Sequence, residues 1–162
     1  AQTDALTGVY NKENTQKVID AILREKDPKG FHGFLILDMD HFKEVNDVYG
    51  HVMGDNVLKM LGSFLKEQFR EQDVIGRIGG DEFVILLCNI GSRENMESRI
   101  KNLHEKLREI HMEGMEEYTF SFSAGIAFAP QDGDTFMELY QKADLALYQV
   151  KRSGRNGYRI YK

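Results

Sequence analysis

The chain has 162 residues, enough for one domain with a buried core and too few for two. With 41% hydrophobic and 29% charged residues it has a globular composition, which excludes a disordered chain. A formal net charge of -5 speaks against a nucleic-acid or anionic-membrane surface, no run reaches the roughly 20 apolar residues of a membrane span, and a single Cys88 excludes an internal disulfide. The opening AQTDALTGVY has neither a basic segment nor an apolar core, so no signal peptide is expected. Without an initiator Met, residues 1–162 are expected to be a processed chain or one domain cut from a longer protein.

Residues 11–26 read as a helix on Val18, Ile19 and Ile22, stopped by a turn over 27–30. Phe34, Leu35, Ile36 and Leu37 form a continuous apolar run, the pattern of a central strand buried on both faces. It runs into Asp38, Met39 and Asp40. A second helix is expected after Gly54 and Asp55, on Leu58, Leu61, Leu65 and Phe69. Apolar runs at 74–78 and 83–87 flank Gly79-Gly80-Asp81-Glu82, which predicts a β-hairpin. Cys88 ends the second run and reads as a buried thiol in a reducing compartment. Residues 93–110 predict a helix on Met96, Ile100, Leu103, Leu107 and Ile110. Residues 119–129 read as a strand, 135–151 as a last helix and 157–161 as a closing edge strand. Helices interleaved with a hairpin-containing sheet indicate an α+β fold with a mixed or antiparallel sheet.

Asp38 is the first charge after the buried run, at the carboxyl end of a central strand. Asp40 is expected to point to the other face. Gly79 and Gly80 can supply the positive-φ positions of a tight turn and let a ligand approach the backbone. If the hairpin neighbours the Asp38 strand, the carboxylates of Asp38, Asp81 and Glu82 converge. Such a cluster is electrostatically poor unless a cation fills it, and hard oxygen donors select Mg²⁺ or Mn²⁺. Mg²⁺ held by one or two carboxylates takes phosphates as further ligands, which points to a nucleoside triphosphate. The plainer reading of the same residues is solvated strand-end carboxylates and an exposed turn with incidental acids.

Residues 79–83 spell GGDEF, and the chain resembles the GGDEF domain of the diguanylate cyclase family over nearly its whole length. Asp4, Leu6, Thr7, Gly8 and Asn11 resemble the family's opening DxLTGLxNR. Asp38, Asp40, Phe42, Lys43, Asn46 and Asp47 resemble DxDxFKxxND, and Gly50, His51, Gly54 and Asp55 resemble GHxxGD. Residues 121–126 resemble its SxG-type strand. Ala143, Asp144, Ala146, Leu147, Tyr148, Lys151, Gly154, Arg155 and Asn156 resemble ADxALYxAKxxGRN. Val9, Lys12 and Val150 depart from the pattern, which has Leu, Arg and Ala there.

The resemblance implies a nucleotide-cyclase-like fold, ferredoxin-like and related to the polymerase palm, with a mostly antiparallel sheet flanked by helices. It implies condensation of two GTP into cyclic di-GMP with release of two pyrophosphates. Asp38 and Asp81, with the Met39 carbonyl, match the metal ligands for two Mg²⁺ or Mn²⁺ ions. Glu82 would take the 3′-hydroxyl proton or bind the second metal. Asn46 and Asp55 match the guanine readers; a carboxylate accepts from guanine N1–H and N2–H together, a pair adenine lacks. The alternative for Asp55 is a cap on the helix after it. Lys43, Lys151, Arg155 and the backbone N–H groups of His41 and Phe42 match the phosphate side. Lys151 and Arg155, four apart at a helix end, can face one ligand, or simply complement the helix dipole. Arg70 and Asp73 match an RxxD product-inhibition site, with Arg suited to guanine O6/N7 and Asp to N1–H. Arg99 or Lys101 would add cations there. The plainer reading of Arg70 and Asp73 is a weak surface pair.

Each domain holds one GTP while the product has two phosphodiester bonds, so a symmetric homodimer is expected. The partners implied are GTP, cyclic di-GMP, a second copy and an upstream sensory domain. A cytoplasmic domain is expected, without direct membrane insertion, in a full-length protein that a membrane anchor could tether. A catalytically silent receptor for GTP or cyclic di-GMP is the alternative. A ferredoxin-like nucleic-acid binder suits the α+β pattern but conflicts with the acidic charge.

Overall fold

A computed structural model describes residues 1–25 and 30–162. Lys26, at the end of the expected first helix, and most of the turn after it lie outside the described residues. The elements are α1 (Lys12–Arg24), β1 (His32–Met39), α2 (Phe42–Tyr49), α3 (His51–Gln68), β2 (Val74–Gly79), β3 (Glu82–Leu87), α4 (Arg93–Arg108), β4 (Phe122–Ala129), α5 (Phe136–Arg152) and β5 (Gly157–Ile160).

The strands form one sheet in the order β2-β3-β1-β4-β5. Every contact is antiparallel except the parallel pair β4–β5. The apolar run in β1 now has its reason. Leu35, Leu37 and Met39 enter a core with α3 and α4, while Phe34 and Ile36 enter a second core with α1 and α5. A strand covered on both faces has no solvent side and shows no polar alternation.

The expected α+β sheet with flanking helices is present, with differences at the ends of elements. The helix expected after Gly54 and Asp55 starts earlier, at His51, and a short helix precedes it. The two meet at Gly50, whose φ is +89°. α2 buries only Val45, so its sequence carries no stripe for a periodicity to reveal. The strand expected from 119 begins at Phe122.

Helix starts are capped as their sequences favour. The side chains of Asn11, Ser92 and Thr135 accept from the N–H groups of Asn14, Asn95 and Glu138. α5 lies directly on the backbone of β4. A Cβ added at Gly125 would fall well inside contact of the Ala143 carbonyl oxygen and 2.6 Å from the Leu147 nitrogen. This close approach fixes where α5 presents its side chains at the end of β1.

Candidate active site

The hairpin brings the acids together through register. β3 pairs with β1 so that Glu82 lies opposite Asp38. Asp38 therefore shares its end of the sheet with the β2–β3 turn. The turn sits one residue later than the Gly-Gly dipeptide suggests: Gly79 still pairs with Glu82, and Gly80 and Asp81 make the two-residue loop. Gly80 takes the positive φ, +49°, as the first loop position of a II′-type turn does. A Cβ at Gly79 or Gly80 would meet nothing within 4 Å, so the turn's surface is open to a ligand.

Arg77 braces this loop. Its Nε donates to the Gly80 carbonyl at 2.8 Å, and its Nη1 reaches both Asp4 carboxylate oxygens at 3.2 Å. Asp4 also accepts from the Thr7 N–H and hydroxyl, at 3.0 and 2.7 Å. The opening segment thus holds the turn from behind.

The electrostatics match a site short of positive charge. Burial, then the Asp38 carboxylate, pushes Asp81 above the usual Asp value. Burial likewise pushes Glu82 up; Tyr140 opposes this by donating to it, and Asp38 and Asp144 add to it. Lys151 Nζ donates to Asp38 Oδ2, and Tyr140 hydroxyl donates to Glu82 Oε1. Both donors come from α5. Burial, then the bond to Glu82, pushes the Tyr140 hydroxyl up, so it stays a donor.

These groups fit a divalent cation. Asp38 and Asp81 are hard oxygen donors whose mutual repulsion a cation would relieve, and an ammonium already sits on Asp38. Among the described residues no three His, Cys, Asp or Glu side chains form a ready cage. Mg²⁺ is held by one or two carboxylates plus phosphates, not by an all-protein cage, so two carboxylates suffice. The Met39 side chain is buried in the core, leaving its backbone for the site.

Asp40 does not point to the other face. Residues two apart return to the same face of a strand. Asp40 accepts from the Ser121 and Ser123 hydroxyls at 2.6 Å and from the Asn156 N–H at 3.0 Å. Ser123 shares its strand parity with Gly125, on which α5 packs. Asp40 is thus a buried structural carboxylate joining β1, β4 and the segment before β5.

Beside the acids, His41 precedes α2 as its N-cap in the left-handed region, φ 59°, without a side-chain cap bond. The first-turn amides of α2, including those of Phe42 and Lys43, have no partner within a helix. Lys43 is exposed. Asn46 lies against Gly54: a Cβ there would overlap Asn46 Oδ1. Asn46 is thereby next to Asp55, the following residue. Asp55 is not a helix cap, because α3 starts four residues earlier with Gly50 at its N-cap.

Lys151 is in the last turn of α5, but Arg155 is not its helical neighbour. α5 ends at Arg152, and Arg155 stands beyond it at φ 65°, with its side chain exposed. The four-residue helical spacing assumed for this pair fails because Gly154, at φ 109°, turns the chain out of the helix.

The family model described as Diguanylate cyclase, GGDEF domain, matches residues 1–157. The chain belongs to the GGDEF domain family. It is 37% identical over 162 residues to diguanylate cyclase DgcS of Shewanella oneidensis, covering 99% of this chain and 53% of that protein. It is 34% identical over 161 residues to cyclic di-GMP phosphodiesterase PdeR of Escherichia coli, covering 99% of this chain and 24% of that one. The chain thus spans a quarter to about half of these relatives. The solved GGDEF domain of TpbB, or YfiN, from Pseudomonas aeruginosa superposes with a TM-score of 0.92 at 31% identity, covering 99% and 94% of the two chains. The GGDEF domain of DgcB from Caulobacter crescentus, in complex with c-di-GMP, gives a TM-score of 0.85 at 26% identity, covering 99% and 95%.

In this GGDEF domain Arg70 and Asp73 are not a loose surface pair. The Asp73 side chain is 0% exposed and that of Arg70 42%. Asp73 accepts from the Arg70 N–H and the Cys88 N–H at 3.0 Å and from Arg70 Nη2 at 3.2 Å, and Arg70 Nη2 donates to the Cys88 carbonyl at 2.5 Å. Both Asp73 oxygens accept from the protein here, so a bond from guanine N1–H would require part of this Arg70–Asp73–Cys88 arrangement to open. Arg70 keeps an exposed part. Arg99 is close by: its Nη2 donates to the Gln68 carbonyl at 3.0 Å and its guanidinium lies over Phe69. Lys101 is exposed, with no hydrogen bond or ion pair among the described residues. Cys88 is buried as expected, its thiol pushed up to about 11 by burial and then Asp73.

Two arrangements were not read from the sequence: the Tyr140–Glu82 bond with Asp144 beside it, and the Asp4–Arg77 brace, although Asp4 and Asp144 stand in the motifs without an assigned role. Tyr140, Asp144 and Lys151 fall on one stripe of α5, at helical spacings of four and seven. That polar stripe on an otherwise core-facing helix was the available signal.

Proposed function

We propose that this GGDEF domain is a diguanylate cyclase, joining two GTP into cyclic di-GMP and two pyrophosphates between two copies of the chain. The observation that carries the reading is the Asp38–Glu82 register with Asp81 in the adjoining turn. It gathers mutually repelling carboxylates at an open glycine turn, where a metal-bound triphosphate would relieve them.

Asp38, Asp81 and the Met39 carbonyl would hold two Mg²⁺ or Mn²⁺ ions. When bound, these ions supply neutralisation of the triphosphate and of the attacking 3′-oxygen. Lys43 and the amides of His41 and Phe42 bind the phosphates, helped by Arg155. Lys151 holds Asp38 until substrate arrives, then turns to the phosphates. Asn46 and Asp55 read guanine across the α2–α3 junction, and an adenine would leave Asp55 unpaired. Glu82 serves the attacking 3′-oxygen as proton acceptor or as ligand to the second ion, and Tyr140 fixes its orientation. The 3′-oxygen bonds to the partner substrate's α-phosphorus, the bond to the β-phosphate oxygen breaks, and pyrophosphate leaves. Product inhibition would act through the exposed part of Arg70, held by Asp73, with Arg99 adjacent.

The likeness to a solved sensory box/GGDEF family protein from Caulobacter crescentus supports a sensory segment elsewhere in the full-length protein as the source of control. The second reading is a silent receptor for GTP or cyclic di-GMP. The likeness to a protein named as a phosphodiesterase favours it, because this domain there accompanies another activity. Incubation of concentrated protein with GTP and Mg²⁺, followed by nucleotide chromatography, decides. Cyclic di-GMP should form, and Asp81→Ala should abolish it while the circular dichroism spectrum is unchanged. A concentrated or artificially dimerised sample that binds GTP and makes no product supports the receptor.

A further inference from the structure

The two edges of the sheet are treated differently. On the β2 side the chain covers its own edge. The Tyr10 N–H donates to the Ile75 carbonyl at 3.1 Å, and the Arg77 N–H donates to the Tyr10 carbonyl at 2.9 Å. On the far side β5 pairs with β4 alone among the described residues. The Tyr161 N–H donates to the Ile126 carbonyl at 2.8 Å. By strand alternation the peptide groups of Tyr158 and Ile160 then face away from β4. An unpaired edge is a template for another strand.

A groove of about 1220 Å³ runs along this edge. α5 forms a wall of it, with Leu145 and Tyr148 58% and 60% exposed. The two faces of β5 differ in chemistry. Tyr158 and Ile160 pack toward the core under α3 and α4, whereas Arg159 turns toward α5, where its Nη1 donates to Gln149 Oε1 at 3.4 Å. Arg152, Arg159 and Lys162 line the groove, and none of them forms an ion pair among the described residues. The one acidic side chain among the described lining residues, Glu97, accepts from the Tyr158 hydroxyl at 3.1 Å. This is a cationic groove on a chain whose net charge is -5.

We propose that the groove is a docking site for an extended acidic segment of a partner protein, which adds to β5 as a sixth strand. Main-chain hydrogen bonds to the free edge hold the segment, and its alternate side chains give specificity. Carboxylates on its α5 side meet Arg152 and Arg159, and apolar residues between them cover Tyr158 and Ile160. The recognised pattern is therefore acidic and apolar residues in strict alternation. A second copy is a poor occupant, because two β5 edges brought together would set Arg159 and Lys162 against their like. Nucleic acid matches the charge but offers no peptide groups to the edge.

Fluorescence anisotropy with a labelled, end-blocked peptide of about ten alternating Glu and Val residues tests this. Binding should saturate and weaken with salt. The double variant Arg159→Glu/Lys162→Glu, shown by its melting curve to be folded, should bind on the order of tenfold more weakly. N-methylation of the amides of one residue type should abolish binding, and of the other type should leave it, since only one edge of the peptide meets β5. Absence of binding overturns the proposal. So does equal binding of a peptide with the same residues in two blocks, which shows attraction by charge alone. Tighter capture of single-stranded DNA, or self-association that the double variant removes, likewise overturns it.

Discussion

Tyr140 shows how one side chain can set the chemistry of another 58 residues away in the chain. Burial disfavours the Glu82 carboxylate, and the Tyr140 hydroxyl is the group that most opposes this. Tyr140→Phe removes the bond and keeps the ring, which stacks on Phe136 at 5.7 Å, so the fold should hold. Without the donor, Glu82 takes up a proton more readily. The acidic limb of the rate–pH profile should move to higher pH, because deprotonated Glu82 then requires less acid solution. A hydrogen bond to a charged group contributes about 1.5–3 kcal/mol, less where the pair is part-exposed, so kcat should fall about tenfold. KM for GTP should stay nearly constant, since Tyr140 bonds Glu82 and is not among the groups assigned to guanine or phosphate. A full pH profile of both proteins checks this; a kcat loss with no movement of the limb would show a merely structural role for Tyr140.

At the scale of elements, α5 carries Tyr140, Asp144 and Lys151 and rests on bare backbone at Gly125, so its seat on β4 sets where these groups stand. In Gly125→Ala the new methyl meets main-chain atoms of α5, which cannot swing aside as a flexible side chain would. Overpacking of this kind costs about 1–3 kcal/mol and more where backbone must move, so the melting temperature should fall by about 2–12 °C or more. Cyclase activity should fall with it as the α5 stripe leaves the carboxylates. Gly79→Ala is the contrast. Its Cβ has open space and its φ lies outside the left-handed region, so the melting temperature should scarcely change. Thermal scans of the two variants read this difference. The same elements mark how far the sequence could be read. α4 and α5 were legible because burial on one face writes a helical period into the chain, and β1 and the hairpin because apolar runs bounded by turn residues mark buried strands. α2 was not, because one buried valine makes no period. Asp38, Asp81 and Glu82 were legible as strand-end acids beside a turn. The Tyr140 bond and the closure of Asp73 by Arg70 and Cys88 were not, since sheet register and helix docking create them and no local spacing records either.

At the scale of the whole molecule, the proposed reaction demands two chains. Each 3′-hydroxyl must attack a phosphate held by the other copy, and one chain offers a single set of Asp38, Asp81 and Glu82. Both bonds of the cyclic product therefore need two intact sites facing each other. This has a consequence for mixtures. Asp81→Ala shortens one side chain in the open turn, so variant and wild-type chains should pair at random. Only pairs of two wild-type chains close the ring, and their share per wild-type chain equals the wild-type fraction. At concentrations where chains are paired, a threefold excess of Asp81→Ala should cut cyclic di-GMP per wild-type chain to about a quarter. Mixed pairs, able to form one bond at most, should release a linear dinucleotide in its place. Chromatography of the nucleotides over a series of mixing ratios measures both products. Output per wild-type chain that stays constant across the series would show that each chain completes the reaction alone, and the paired arrangement would have to be abandoned.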